Sequence, residues 1–446
     1  MAATYLTKTS IGAGNRRTWT WSGWIKRSGL GEQRIFNHEQ SSGTSNISVL
    51  KFDSDDKILY ADNAAGSNAI NLNSSNMRFR DVNAWYHIVL RVDTTDATDT
   101  NRARIYVNGQ DIHSELGSFS THTLPTQNYD TFANQSGNKI SIGAWANNTN
   151  QYFDGVMSHV HFADGQSYAP TVFGETDSTT GQWKIKTSPS VTYGTNGFFI
   201  LKDGNSVTDQ SGQGNNFTVA GGTLTKTEDC PSNVFATMNP LDNFYANATL
   251  SNGNTTVATN ATNETYITST LAASTGKYYW EVEYDAGSDN SFIGIIDRVS
   301  DSTSFQAYID ATNGISYKKN GAIYTNGGNM SGVNIGTYTT GDIISVAMDL
   351  DNNKLYFGKN GTWLNSGVPT SGSTGTGAFS INSSPKDGVY YAQVGDDNTG
   401  SQTLKCNFGN GYFGTTAISS AGSNGNGSLF EYDVPSGYYA LNTKNI

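Results

Sequence analysis

The chain has 446 residues, of which 15% are charged and 12% aromatic, with 49 glycines, 8 prolines and a formal net charge of −11. That length accommodates two or three domains with cores of their own, while sparse charge and frequent aromatics exclude a disordered chain. The negative balance excludes nucleic acid and anionic membrane as partners, since both need a positive surface, and no run approaches the 18 apolar residues of a membrane-inserted helix.

No window sustains apolar residues at helical spacing for three turns, whereas roughly ten Asn-Gly dipeptides punctuate the chain as hairpin turns do. The expected fold class is all-β. The N-terminus, MAATYLTKTS, lacks the apolar stretch of a secretory signal. Only Cys230 and Cys406 are present, which is no disulfide framework and reads as free thiols of a protein made in a reducing cytosol. Without a secretion signal, sequons such as those at Asn73, Asn147, Asn216 and Asn260 read as products of an Asn- and Thr-rich chain.

Residues 1 to about 175 form the first expected module. In Thr18–Ile25 the alternation places Trp19 and Trp21 on one face and Thr18, Thr20, Ser22 and Trp24 on the other. Trp85–Gly109 reads as a long hairpin: Ile88, Leu90 and Val92 on one face, a polar loop after Asp93, a return strand Arg104–Val107, and Asn108-Gly109 as the tight turn. Lys139–Trp145 and Tyr152–Phe162 close the module. The motifs WSGWIKR, WYHIVLRVD, RIYVNGQ, ISIGA and YFDGVMSHVHFADG together resemble the laminin-G-like, concanavalin-A-like jelly-roll family, a fold that hosts lectins, glycanases and adhesive modules.

Residues 176–240 read as a short β/turn connector, with a strand at Phe198–Leu201 and a turn-rich loop DQSGQGNN at 209–216. Asp209 with Asn215 offers oxygen donors of the kind Ca2+ takes; the competing reading, which is preferred, is a turn held by its own Asx side chains. No other cofactor is expected.

Residues 241–415 form the second module, and its centre is Gly341–Trp363. Ile344, Val346, Met348 and Leu350 alternate with Ile343, Ser345, Ala347 and Asp349 as in a half-buried strand; Asp351–Asn353 supply a turn, Leu355 and Phe357 resume the buried face, and Asn360-Gly361 repeats the turn of the first module. The ordered set GKYYWEVE, FIGI, GDIISVAMDLD, LYFGKNG and CNFGNGYF is similar to the SPRY domain, itself a concanavalin-like sandwich that binds protein partners through its loops. The expectation is therefore two tandem concanavalin-A-like antiparallel β-sandwiches, laminin-G-like then SPRY-like. Residues 416–446 pass from a Gly/Ser-rich stretch into LFEYDVPSGYYALNTKNI, whose apolar content implies docking onto a body: the connector, or a neighbouring copy.

Chemistry is thinly marked. Glu281 and Glu283 stand two apart on one strand face, roughly 7 Å between backbones, a spacing from which carboxylates reach the roughly 5–5.5 Å of a retaining glycosidase. The order Glu-x-Glu-x-Asp is not the usual one of such enzymes, and the alternative turns Tyr278, Trp280, Val282 and Tyr284 to the core and the acids to solvent. No catalytic residue is assigned. His159 and His161, two apart on one strand face, lack the third ligand that zinc needs, so no metal site is assigned; His87 is read as structural. Five aromatics beside Asn/Gly-rich turns, Trp145, Tyr152, Tyr317, Tyr324 and Trp363, are the candidate binding residues, either stacking on sugar rings or a protein surface, or capping their sandwich.

A laminin-G-like module, a DxSGxGN connector and a VPSGYYALNTKNI-type ending are similar to virion structural proteins of tailed bacteriophages, marine ones in particular. The resemblance implies a non-enzymatic protein made in the host cytoplasm and placed on the exterior of the particle, as a fibre-like or decoration component. Its expected partners are other virion proteins, a host-surface glycan and further copies of itself, three-fold symmetry being the expected assembly. The alternatives are an internal joining protein that binds only virion proteins, and a polysaccharide depolymerase using Glu281 and Glu283.

Overall fold

A computed structural model describes residues 3–8, 11–40, 45–64, 66–74, 76–115, 122–202, 204, 206–242, 247–287, 291–299, 313–325, 328–397 and 400–446. The chain divides into two compact units, Met1–Lys226 and Thr227–Ile446. Each is an antiparallel β-sandwich, and the described residues carry 3-10 turns but no α-helix.

In the first unit, a seven-stranded sheet runs in the order Thr218–Ala220, Tyr5–Lys8, Lys139–Ile142, Gln33–Glu39, Ile47–Phe52, Ile58–Ala64, Ser67–Asn73. A six-stranded sheet runs Phe198–Ile200, Gly155–Asp164, Thr18–Arg27, Trp85–Asp93, Ala103–Val107, Gln110–Asp111. Period-two alternation turns Trp19, Trp21 and Ile25 of one sheet toward Phe36, Leu50 and Tyr60 of the other, and these residues are buried together. Trp24 goes to the opposite face, where its ring stacks on His87 at 4.8 Å.

The expected connector does not begin at 176. Gly174–Thr176 pairs with Trp183–Ile185 across that boundary, Phe198–Ile200 adds an edge strand to the six-stranded sheet, and Thr218–Ala220 adds one to the seven-stranded sheet beside Tyr5–Lys8. Phe198, Ile200 and Phe217 are core residues of the first unit. Short strands separated by turn-rich loops read as a linker in sequence, yet here they cover edges that would otherwise expose unpaired backbone. Residues 227–240 belong to the second unit, where Ala236 and Met238 are in the core.

The second unit packs a six-stranded sheet (Thr265–Ala273, Tyr390–Asp396, Ser291–Ile296, Ile315–Lys318, Ala322–Thr325, Gly328–Asn334) on a nine-stranded one. The middle of the latter runs Thr403–Asn407, Lys277–Ala286, Ile343–Asp349, Lys354–Lys359. Tyr278, Trp280, Val282 and Tyr284 face the core, with Ile344, Val346 and Met348 across the register. The central strand is not half-buried, however: Ser345 and Ala347 on its other face are buried too. The C-terminal segment lies over that face, and Phe430, Val434, Tyr438 and Ala440 form a second apolar layer with Tyr279, Ala347, Tyr356 and Phe235. The segment therefore docks on its own unit, including on residues 234–236, where Ala236 N–H donates to Leu441 O at 2.9 Å and Val234 N–H to Thr443 Oγ1 at 3.0 Å.

The two hairpins noted in sequence are alike in detail. Asn108 and Asn360 adopt φ of 48° each, followed by Gly109 at 79° and Gly361 at 78°, the left-handed pair a tight two-residue turn requires. In each, the Asn Oδ1 accepts the backbone N–H of a residue on the outgoing strand, His87 at 2.8 Å and Ile343 at 2.9 Å. Each turn glycine lies under an aromatic ring: a Cβ on Gly109 would stand 2.5 Å from Trp183, and one on Gly361 2.8 Å from Tyr432.

Candidate functional site

The face of the seven-stranded sheet turned away from the core is the most chemically distinctive surface of the first unit. The register aligns Ser141, Asn37, Val49, Ala61 and Asn71 in one row, and Lys139, Glu39, Ile47 and Asn63 in the next. A bulge between Arg34 and Phe36 brings Arg34 onto this same face. The row thus has a polar end, an aliphatic middle and a rim of asparagines.

Trp145 covers the middle. It comes from the tight turn after Lys139–Ile142, pinned by the Trp145 and Asn150 bridge, and packs on Val49, Ala61 and Ile47. The Arg34 guanidinium sits 3.8 Å from the Trp145 ring centroid and donates from Nε to Gln151 Oε1 at 2.6 Å. Asn37 Nδ2 donates to Ser141 Oγ at 2.9 Å and Ala144 O at 2.6 Å, and Ser141 Oγ to Glu39 Oε1 at 3.1 Å. Arg34, Asn37 and Glu39 are 4%, 0% and 2% exposed. Burial pushes Arg34 down to about 10 against the pull of Glu39 and Glu32, and pushes the Glu39 carboxyl up against Ser141 and Lys139. Yet Arg34 Nη1, Asn37 Oδ1, Glu39 Oε2, Asn71 Oδ1 and Trp145 Nε1 have no hydrogen-bond partner. Buried polar atoms are ordinarily paired, each orphan costing about 1–3 kcal/mol. The site thus holds two spare donors and three spare acceptors around an indole and an aliphatic patch.

The five aromatics read from the sequence do not converge. Trp145 belongs to this site. Tyr152 follows it, half-buried, its hydroxyl donating to Thr149 O at 2.8 Å and its ring 6.0 Å from Tyr5. Tyr317 is not a surface residue: it is 0% exposed in the core of the second unit, donating to Gly336 O at 2.6 Å. Its strand alternates so that Ile315 and Tyr317 point inward, which proximity to a turn does not reveal. Tyr324 carries Lys318 over its ring at 4.5 Å, and Trp363 packs against Tyr279 in the layer under the C-terminal segment. Arg34, Asn37 and Glu39 escaped the sequence reading. Their signal is the alternation of Asn37 and Glu39 with apolar neighbours in RIFNHE, and the bulge that recruits Arg34 has no sequence mark.

The carboxylate pair does not form an open acid pair. Glu281 does not face solvent but is 0% exposed beneath the C-terminal segment, accepting the backbone N–H groups of Glu431 and Tyr432 at 2.9 Å each, the Tyr279 hydroxyl at 2.9 Å and Asn407 Nδ2 at 3.3 Å. Burial raises its carboxyl to about 7, although all four donors favour the charged form. Glu283 is held by Lys405 at 3.6 Å. A bulge between Ser158 and His161 turns His159 to φ 50°, and both imidazoles pack against Phe199, His161 stacked at 3.9 Å and His159 tilted at 5.6 Å. His87 is buried between Trp24 and Trp183; its Nδ1 accepts Trp183 Nε1–H at 2.9 Å, so Nε2 carries the proton toward Ser22 Oγ at 2.9 Å, and burial lowers it to about 3. Both nitrogens serve structure. In the 209–216 loop, the Asp209 carboxylate accepts the N–H groups of Phe199, Ser211 and Asn215 at 2.8–2.9 Å, so its oxygens are spent on the turn. Among the described residues no cluster of three His, Cys, Asp or Glu side chains is placed to hold a metal ion.

No curated protein matches the sequence. Among solved structures, the SPRY domain of human HERC1 is 16% identical with a TM-score of 0.31, the match covering 38% of this chain and 96% of that one. A putative carbohydrate binding protein from Bacteroides ovatus is 16% identical with a TM-score of 0.32, over 50% of this chain and 57% of that one. A heptameric SAP-like pentraxin from Limulus polyphemus is 14% identical with a TM-score of 0.28, over 50% and 91%. Residues 2–172, the part of the first unit that holds the Trp145 site, match the family model of the Concanavalin A-like lectin/glucanases superfamily.

Proposed function

We propose that this chain is a non-enzymatic, lectin-like structural protein on the exterior of a phage particle, and that it recognises a host-surface glycan at the Trp145 face of its first unit. The observation that carries the reading is the set of unpartnered polar atoms, Arg34 Nη1, Asn37 Oδ1, Glu39 Oε2 and Trp145 Nε1, gathered beside an indole and an aliphatic patch. A pyranose ring offers the complement, with hydroxyls for the acceptors and donors and a C–H face for the aromatic. The lectin-like fold of residues 2–172 supports it. The burial of Glu281 under its own chain and the Lys405 partner of Glu283 favour binding over hydrolysis. The virion setting rests on the sequence resemblance.

The test is a glycan array on the purified chain, followed by titration of the best ligand. Wild type binds, and Trp145→Ala weakens the ligand roughly thirtyfold, the loss of about 2 kcal/mol expected for a central aromatic anchor. Equal binding by Trp145→Ala removes this face as the site, and turnover of the bound glycan by the wild type removes the non-enzymatic reading. Mass spectrometry and imaging of purified particles check the location: absence of the chain from virions overturns it.

A further inference from the structure

The C-terminal segment is held on the second unit in the manner of a bound peptide. The sandwich has its main core between the two sheets; Phe430, Val434, Tyr438 and Ala440 of the segment 429–442 add a second layer on the far face of the nine-stranded sheet, and Leu441 reaches into the main core. At the centre, the Glu281 carboxylate clasps two consecutive backbone N–H groups, a contact that recognises main chain whatever its side chains. Asn407 Nδ2 donates to Leu429 O at 3.0 Å, and Tyr439–Ala440 pairs in parallel with Tyr278–Tyr279. Phe430 and Tyr438 are the anchors: Phe430 stands edge-on to Tyr279 at 4.9 Å, and Tyr438 donates to Pro369 O at 3.0 Å.

The lead-in to this segment is built differently. Residues 419–428, SSAGSNGNGS, carry no side chain larger than Asn, and all but Gly422, Gly425 and Ser428 are exposed. Their backbone bonds run to the segment itself, as in Gly422 N–H to Phe430 O at 2.9 Å. Ten such residues span about 33 Å when extended. The lead-in is thus long enough to carry the segment off its own unit.

We propose that the groove around Glu281 is an exchangeable peptide site, and that its second occupant is the C-terminal segment of another copy of this chain. The same contacts form within one copy or between two, so the choice is set by concentration. A flexible tether of this length holds its own segment at an effective concentration on the order of 1 mM. Copies free at micromolar concentration stay closed, and copies crowded on an assembly exchange segments and become linked.

A cleavable sequence inserted between Gly425 and Asn426 of the full chain allows the resident segment to be cut and challenged with a dye-labelled peptide of residues 428–446. The labelled peptide exchanges in and saturates, and Phe430→Ala made only in the peptide weakens it at least tenfold while leaving the receiving chain intact. Two intact stocks with different dyes, mixed at about 1 mM, develop energy transfer that a mixture at about 1 μM does not. Failure of the peptide to enter a cleaved chain that remains folded makes the segment a fixed part of the sandwich and overturns the proposal. Peptide exchange without energy transfer at the higher concentration overturns the assignment of a second copy as occupant.

Discussion

Glu281 shows how one side chain changes meaning with its surroundings. All its neighbours donate to it, and of these only the Tyr279 hydroxyl, also 2.9 Å from Ser345 Oγ, is able to turn and accept a proton from it. Burial nevertheless outweighs the donors and holds the carboxyl at about 7 against an ordinary 4.5. The folded state therefore binds this proton more tightly than the unfolded one, so stability is greatest below pH 4.5 for this group and falls as pH rises from about 4.5 to about 7, by on the order of 3 kcal/mol. Asp396, raised to about 7 by burial, acts in the same direction within the same unit. Glu281→Gln keeps an oxygen for one of the segment's two N–H groups, turns an amide donor toward the other and removes the titrating proton, so the second unit should be less stable at every pH while its unfolding midpoint varies less between pH 5 and pH 8 than in the wild type, with Asp396 supplying the remainder. An unchanged pH profile in the variant would show that Glu281 is ionised throughout. At this scale the sequence was legible by alternation alone: it placed Tyr278, Trp280, Val282 and Tyr284 correctly, and left the far face to solvent because the cover arrives from about 150 residues downstream.

The hairpins are the most legible elements, because a type I′ turn demands a residue pair that sequence displays directly. What sequence does not display is the lid on each. Trp183 over Gly109 and Tyr432 over Gly361 come from stretches that read as connector and tail, and both forbid a Cβ where φ already forbids one. Gly109→Ala should destabilise the first unit and Gly361→Ala the second, by about 1–3 kcal/mol each, measured by denaturant unfolding of each transition. Gly31→Ala and Gly341→Ala separate the causes: φ there is 88° and 87°, with nothing within 4 Å of the added carbon, so they report backbone strain alone. Equal costs at all four positions would show that the rings yield freely. The bulges at Arg34–Phe36 and Ser158–His161 were illegible for a related reason, since a bulge shifts which residues share a face without changing composition.

At the level of the whole chain, two β-sandwiches in tandem were readable from the motif order, while the join was misplaced because short edge strands resemble linkers. The Trp145 face was half readable: the aromatic stands out beside its turn, whereas Arg34, Asn37 and Glu39 are ordinary strand residues until register gathers them. One further consequence concerns how the protein ages. Asn-Gly is the sequence most prone to spontaneous deamidation, in which the glycine nitrogen attacks the asparagine side-chain carbonyl, and such residues limit protein lifetime. In the two hairpins that carbonyl is clasped by a backbone N–H, and Asn360 Nδ2 also donates to Asp342 Oδ1 at 2.6 Å, so the attacking geometry is locked out. Asn426-Gly427 sits exposed in the lead-in. Peptide mapping of chain stored at mildly alkaline pH should find isoaspartate at Asn426 well before Asn108 or Asn360; the reverse order would mean the hairpins open more readily than the lead-in bends. Chemical wear would then fall first on the tether of the C-terminal segment, adding negative charge there while both sandwiches stay intact.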